Sequence, residues 1–311
     1  MRHRAFSLQT FRCFRTGPED TGSSLNKENH ARLFKAGREA LAVSRLGVRQ
    51  ACLSKQPMEN KRILLTNDDG IGAAGLKALE SALRVLGDVT VVAPDAERSG
   101  SSQALTLHQP LRVKAIDDRH FAVGGTPADT VILALYQLLP EKPHLVVSGI
   151  NPGGNLGENL IYSGTVAAAQ EAALHGVPSF AISLVGRDPQ DFSAAGKVAF
   201  EVAGRLLREG LPPGIALNVN VPNHEIRGVR LTRQSQKISQ NLVCEKRDPR
   251  GKSYYWLDET LPHRVVEPDS DYAAIFAHEV SITPLEVDRT HNSSLNHLSA
   301  WLPELQQKIK P

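Results

Sequence analysis

Ile63-Leu64-Leu65-Thr66-Asn67-Asp68-Asp69-Gly70 is the stretch on which the reading of this chain turns. The run Ile63 to Thr66 is too short for a helix and reads as a buried strand, and Asn67 to Gly70 is a polar, glycine-containing turn. Immediately afterwards Leu76, Leu79, Leu83 and Leu86 recur at helical spacing across Ala73–Leu86. Val89-Thr90-Val91-Val92-Ala93 then reads as a second strand, stopped by Pro94. Strand, polar turn, helix and strand in that order make a βαβ unit.

Further along, the alternation continues. Thr126-Pro127-Ala128-Asp129 is a helix start, with Thr126 as N-cap, Pro127 at the first position and Asp129 at the third. Val131–Leu139 continues that helix. His144–Ser148 reads as a strand, Thr165–His175 as a helix with Gly176 beyond its end, Ser179–Leu184 as a strand, Phe192–Arg208 as a helix and Ile215–Val221 as a strand. The expected fold is a Rossmann-like three-layer α/β/α arrangement around a mostly parallel sheet, with its binding crevice beyond the carboxyl ends of the strands. There is no internal repeat. After about Val229 the texture changes: the polar turn Lys246–Lys252 leads into Ser253-Tyr254-Tyr255-Trp256-Leu257, a hairpin arm. Three large aromatics on one arm are costly to leave wet, so they are expected to pack against a partner subunit, with burial in the same chain as the alternative.

Composition sets outer limits. At 311 residues with 41% hydrophobic residues and 24 glycines, the chain is in the ordinary range for a globular protein. The longest uncharged apolar candidate, Val131 to Leu139, falls well short of the roughly 18 residues of a membrane helix. Cys13, Cys52 and Cys244 are far apart with no CxxC, which excludes a disulfide scaffold or zinc ribbon and suits a reducing cytoplasm. Residues 1–60 hold 11 Lys/Arg against 5 Asp/Glu, whereas the remainder holds 25 against 28. The body is therefore not a basic surface for a nucleic-acid polymer, and it recognises its ligand at a local site.

Four segments carry polar groups where the sheet would present them. Adjacent carboxylates at Asp68 and Asp69 repel each other and stay ionised together only with compensation, which a divalent cation supplies. The alternative is that Asp68 caps the next helix and Asp69 is solvated. Ala93–Ser102 brings Arg98 and Ser99 after the second strand; a flexible Ser-rich loop is the competing reading. Ser148–Asn159 holds four glycines and three asparagines, so its amides can face an anion and its Asn oxygens a hard cation. Tyr162-Ser163-Gly164-Thr165 opens a helix, which makes either a phosphate seat or an ordinary N-cap.

Gly70-Ile71-Gly72-Ala73-Ala74-Gly75 is also a literal GxGxxG, with Asp95 twenty residues further on, the pattern of a dinucleotide-binding oxidoreductase. Electrostatics oppose it. Two like charges about 4 Å apart repel by roughly 4 kcal/mol at an effective dielectric of 20, so Asp68 and Asp69 would repel a pyrophosphate unless a metal lay between. A haloacid-dehalogenase-type phosphatase would need Asp-x-Asp rather than adjacent aspartates. A nucleotide sensor that binds without turnover is the non-enzyme alternative.

Taken together, the blocks Ile63–Gly70, Ala93-Pro94 through Glu97-Arg98-Ser99, Ser148-Gly149-Ile150-Asn151, Asn155 and Ile161–Ala168 resemble the SurE family of metal-dependent survival-protein nucleotidases. Asp248–Gly251 with Tyr254–Trp256, Ser270–Ile275 and Val280–Leu285 are similar too, so the resemblance spans about Arg62 to Thr290. It implies a nucleoside monophosphate phosphatase (a 5′-nucleotidase, with 3′-nucleotidase and short-chain exopolyphosphatase activity also allowed) holding one divalent cation per subunit. The implied metal ligands are Asp68, Asp69, Ser99 and Asn151. Asn155, Ser163, Gly164 and Thr165 match the positions around the phosphate, and Asp68 and Asp69 are the catalytic candidates. An all-oxygen set suits magnesium or manganese. The metal would bind the attacking water, and one aspartate would accept its proton. The resemblance further implies a homodimer or homotetramer exchanging C-terminal segments. Phe276-Ala277-His278-Glu279 is bulkier and more polar than the family pattern.

Residues 1–60 have no counterpart in that resemblance. Three readings compete: a transit peptide, poorly matched by Glu19, Asp20, Glu28 and Glu39; a disordered appendage with a short helix near Ala31–Leu46; and a leader upstream of a physiological start at Met58, which is preferred. Residues 61–228 are the expected catalytic core and 229–311 the arm, oligomerisation segment and tail. Deleting residues 1–57 is expected to leave activity unchanged.

Overall fold

The computed structural model describes residues 61–186, 191–236, 240–260 and 267–309. The leader readings, including the Ala31–Leu46 helix and the Met58 start, lie outside them.

β1 (Arg62–Thr66) is followed by α1 (Ala74–Leu83) and β2 (Asp88–Pro94). β3 (Val113–Ala115) and β4 (His120–Val123) come next, then α2 (Pro127–Leu133), β5 (Leu145–Pro152) and α3 (Gly164–Leu174). β6 (Ser179–Val185), α4 (Ser193–Glu209) and β7 (Ile215–Pro222) complete the alternation. Six strands, β4-β2-β1-β5-β6-β7, pair in parallel. The order reverses between β1 and β5, and the crevice of such a sheet opens at the carboxyl ends of those two strands. Asp68 and Asn151 sit there.

The apolar periodicity is realised in packing. Leu76, Leu79 and Leu83 of α1 and Ala195, Ala199 and Ala203 of α4 join one core with Ile63, Leu65, Val147 and Phe180 of the sheet. On the other face, Val131 of α2 and Ala168 and Ala172 of α3 pack on Leu64, Val92 and Val146. That gives three layers. α2 and α3 lie side by side on this face, and the run of alanines in α3 permits its close approach to the sheet and to α2.

The α2 start matches its sequence signature. The Thr126 hydroxyl accepts from the Asp129 amide at 3.1 Å, and Asp129 Oδ2 accepts from the Thr126 amide at 2.8 Å. The helix does not run evenly to Leu139, however: Ala134–Leu138 is a wide π-turn.

Beyond β7 the chain does not simply leave the sheet. β8 (Gly228–Leu231) and β11 (Glu279–Glu286) extend it, β11 lying antiparallel to β7 and parallel to β8. β9 (Gln240–Arg247) and β10 (Ser253–Thr260) form the expected hairpin, with Trp256 opposite Cys244. α5 (Asp271–Phe276) precedes β11, and α6 (Asn292–Ser299) and α7 (Leu302–Ile309) end the described chain. In this chain Tyr255 is 61% and Trp256 60% exposed, so burial in the same chain is not what the hairpin achieves. Among the described residues no helix is long and apolar enough to cross a membrane.

Candidate active site

The turn after β1 is built by its own side chains. Asn67 donates through Nδ2 to the Gly70 carbonyl at 3.0 Å and accepts from the Gly70 amide at 3.2 Å. Gly70 has φ +100°, a conformation that glycine adopts without steric cost. This projects Asp68, which is buried, and Asp69, half-buried, from the end of a central strand.

α3 meets that turn end-on. The Thr165 hydroxyl donates to Asp68 Oδ1 and lies 3.4 Å from Asn151 Oδ1. A Cβ added to Gly164 would stand 2.9 Å from Asp68 Cβ and 3.1 Å from Asp68 Oδ2, so only glycine lets the helix come this close. Ser163 is the N-cap, its hydroxyl accepting from the Val166 amide at 3.1 Å.

β5 contributes through a bulge. Its pairing with β6 shifts register between Gly149 and Asn151; the intervening Ile150 goes fully into the core and Asn151 emerges at the sheet edge. The sequence reading ended this strand at Ser148, because the bulge hides the continuation to Pro152. Asn155 follows in a clasp: its amide donates to Asn220 Oδ1 at 2.9 Å, and its carbonyl accepts from Asn218 and Asn220 at 2.9 and 3.0 Å. Its own Nδ2 donates to Ser183 Oγ at 2.8 Å. The next residues are held from the far end of the chain. Asp271, fully buried, accepts from the Gly157 amide at 2.9 Å and from the Ser235 amide and hydroxyl at 3.1 and 2.6 Å.

The segment 95–112 crosses the site. The Arg98 amide donates to the Asp68 carbonyl at 2.7 Å, and Gln103 donates to the buried Glu171 of α3 at 2.9 Å. Thr106 is bonded to Asp129 through both amide and hydroxyl. Ser99 is exposed, and its hydroxyl donates to Glu97 at 2.9 Å.

Thus Asp68, Thr165, Gly164 and Asn151 are brought together, with Asp69 beside them in the chain. Among the described residues, no hydrogen bond joins Ser99, Asn155 or Ser163 to the aspartates. The sequence reading missed Ser183, Asn218, Asn220 and Asp271. The signal for two of them was present: Asn218 and Asn220 alternate in an otherwise apolar strand, so both lie on one face.

Burial and like charge act together on the acid pair. Burial pushes the Asp68 carboxyl above the ordinary carboxylate range, against the Thr165 hydrogen bond. Asp69 is pushed up to about 7, first by burial and then by the charges of Asp68 and Glu97. Asp69 Oδ2 is shut off from solvent without a hydrogen-bond partner. Among the described residues no three His, Cys, Asp or Glu side chains gather, so a cation here would be held by the acid pair and neutral oxygens. Such a donor set fits magnesium or manganese.

Two of the three glycines of Gly70–Gly75 have local duties. Gly70 makes the turn, and a Cβ on Gly75 would lie 2.0 Å from the Ile150 carbonyl, so Gly75 sets how closely α1 packs on β5. Gly72 meets nothing within 4 Å. Gly70 and Gly75 are thus accounted for by the turn and the helix–strand packing, without a dinucleotide.

The sequence model described as Survival protein SurE matches residues 63–241. The chain belongs to the SurE family. It is 48% identical over 244 residues to the 5′-nucleotidase SurE of Geotalea uraniireducens, an alignment covering 77% of this chain and 98% of that relative. To the 5′-nucleotidase SurE of Coxiella burnetii it is 42% identical over 257 residues, covering 82% and 100%. The crystal structure of the SurE protein from Aquifex aeolicus superposes with a TM-score of 0.70 at 41% identity, covering 77% of this chain and 98% of that one. The SurE relationship thus extends over nearly the whole length of each relative.

Proposed function

We propose that this chain is a 5′-nucleotidase, a phosphomonoesterase that hydrolyses nucleoside monophosphates with a divalent cation held by Asp68, Asp69 and Asn151. The single observation that carries the proposal is the unpartnered, buried Asp69 Oδ2 beside a buried Asp68 at the strand-order reversal. Relatives sharing 42–48% identity and named as 5′-nucleotidases support the substrate class. Ser99 joins the ligand set by turning from Glu97.

Magnesium or manganese at this position supplies a Lewis acid that polarises a phosphoryl oxygen and lowers the pKa of water. The chain's residues do the rest. Thr165 fixes the Asp68 carboxylate. The first turn of α3 turns its amide dipoles toward the incoming dianion, favouring charge on the equatorial oxygens. The Asn218–Asn220 clasp holds Asn155 at the edge of the same crevice. One of the two aspartates accepts the proton of the attacking water. A second copy of the chain covers Tyr255 and Trp256, forming a homodimer or homotetramer through the hairpin.

The experiment is a phosphate-release panel of purine and pyrimidine 5′-monophosphates, 3′-monophosphates and short polyphosphate, with magnesium, manganese or EDTA. Metal-dependent release from 5′-monophosphates is expected; binding without release would make the chain a sensor. The 3′ and polyphosphate arms define how far the activity extends.

A further inference from the structure

Ser101 lies on the crossing segment, two residues beyond the serine expected to be a ligand. Its hydroxyl oxygen is shut off from solvent and has no hydrogen-bond partner. A Cβ on Gly164 would come within 2.8 Å of that oxygen and within 3.1 Å of Asp68 Oδ2. Ser101 Oγ therefore packs against the first residue of α3, beside the Asp68 carboxylate.

The backbone around Ser101 fixes it there. Its amide donates to the Arg98 carbonyl at 3.2 Å, and its carbonyl accepts from Ala104 at 3.3 Å. Ser102, at φ +52°, clamps the segment to the residues before α3. Its hydroxyl donates to the Ile161 carbonyl at 2.7 Å and its amide to the Tyr162 carbonyl at 3.0 Å. A buried hydroxyl that bonds to nothing costs stability, and rotation of the half-buried Ser101 side chain toward an acceptor docking at the start of α3 removes that cost. Beside two carboxylates, a neutral hydroxyl adds a donor for an anion without altering the charge of the site.

We propose that Ser101 contacts the substrate directly, its hydroxyl donating to a non-bridging oxygen of the phosphate as that group docks at the start of α3. This rests on the phosphatase reading above and adds to it a residue that governs how tightly the phosphate is held.

The test is titration calorimetry of inorganic phosphate into the manganese-loaded chain and into Ser101→Ala, with manganese affinity and melting temperature measured alongside. The alanine variant is expected to bind phosphate about tenfold more weakly, the size of a lost hydrogen bond to a charged group, with KM for a nucleoside monophosphate rising in parallel. Manganese affinity should be unchanged and the melting temperature equal or higher, because no bond is lost in the unliganded protein. Unchanged phosphate affinity would overturn the proposal. So would weakened manganese binding, which would make the hydroxyl a metal ligand, or a drop in melting temperature, which would make it structural. If the unaltered chain neither binds phosphate nor releases it from monophosphates, the underlying phosphatase reading fails instead, and the unaltered chain alone reveals it.

Discussion

The Thr165 hydroxyl donates to the Oδ1 of Asp68, joining the first turn of α3 to the end of β1 across 97 positions of sequence. One hydrogen bond thereby ties the helix proposed to seat a phosphate to the carboxylate proposed to hold a cation. Thr165→Val keeps the volume and removes the donor. Turnover is expected to fall at least tenfold, with Thr165→Ser retaining most of it. Steady-state kinetics at saturating manganese check this.

Asp68→Asn preserves shape and removes one of the two charges available to a cation. It is expected to leave the circular dichroism spectrum intact and to lower metal-dependent phosphate release at least a hundredfold. In the unaltered chain EDTA should abolish release and manganese or magnesium restore it. Near-normal turnover of the variant with metal bound would remove Asp68 from the ligand set.

Asp69 gives a pH dependence whose sign is fixed. A carboxyl raised from 3.8 to about 7 in the fold binds its proton more tightly there than in the unfolded chain. Its contribution to stability is therefore full below about pH 4 and is lost as pH rises through 7. In EDTA, the melting temperature of the unaltered chain should fall more between pH 5 and pH 8 than that of Asp69→Asn. Differential scanning calorimetry of the pair isolates the difference.

Gly75→Ala would drive a methyl group to 2.0 Å from the Ile150 carbonyl, a backbone atom that cannot swing aside. The expected loss is about 2 kcal/mol or more, from overpacking at a helix–strand contact. A urea midpoint measures it. A dinucleotide-binding role would instead show as binding of NAD(H), which is not expected.

Trp256→Ser on the exposed hairpin should leave monomer stability within about 0.5 kcal/mol, as for most surface changes, yet shift the mass in light scattering toward a single chain. A mass equal to that of the unaltered protein would take Trp256 out of the subunit contact.

Much of the core was legible because its signals are local. Periodic leucines marked α1, and Thr126-Pro127-Ala128-Asp129 marked the start of α2 with the capping bonds then observed. The adjacent aspartates stood out by their charge, but only the convergence of four strand-end segments gave them weight as a candidate site. What stayed hidden depends on long-range partners. β3 is only three residues long, Val113–Ala115, and fully exposed, too short for its alternation to be read as a strand. The extension of β5 depends on a bulge against β6. The direction of Ser99 and the seclusion of Ser101 are set by how segment 95–112 is anchored on Ile161, Glu171 and Asp129, contacts that no spacing announces.

The carboxylate of Asp271, bonded to the Gly157 amide, has a consequence for where this protein can be cut. The matched family region ends at residue 241, thirty residues upstream of the group that steadies the Asn155 loop. A fragment trimmed to that region would contain every candidate ligand and still strand a backbone amide beside the crevice. The reaction centre and the distal third of the polypeptide are thus one inheritable unit, and recombination between relatives should preserve activity only when both come from the same parent or keep this acid.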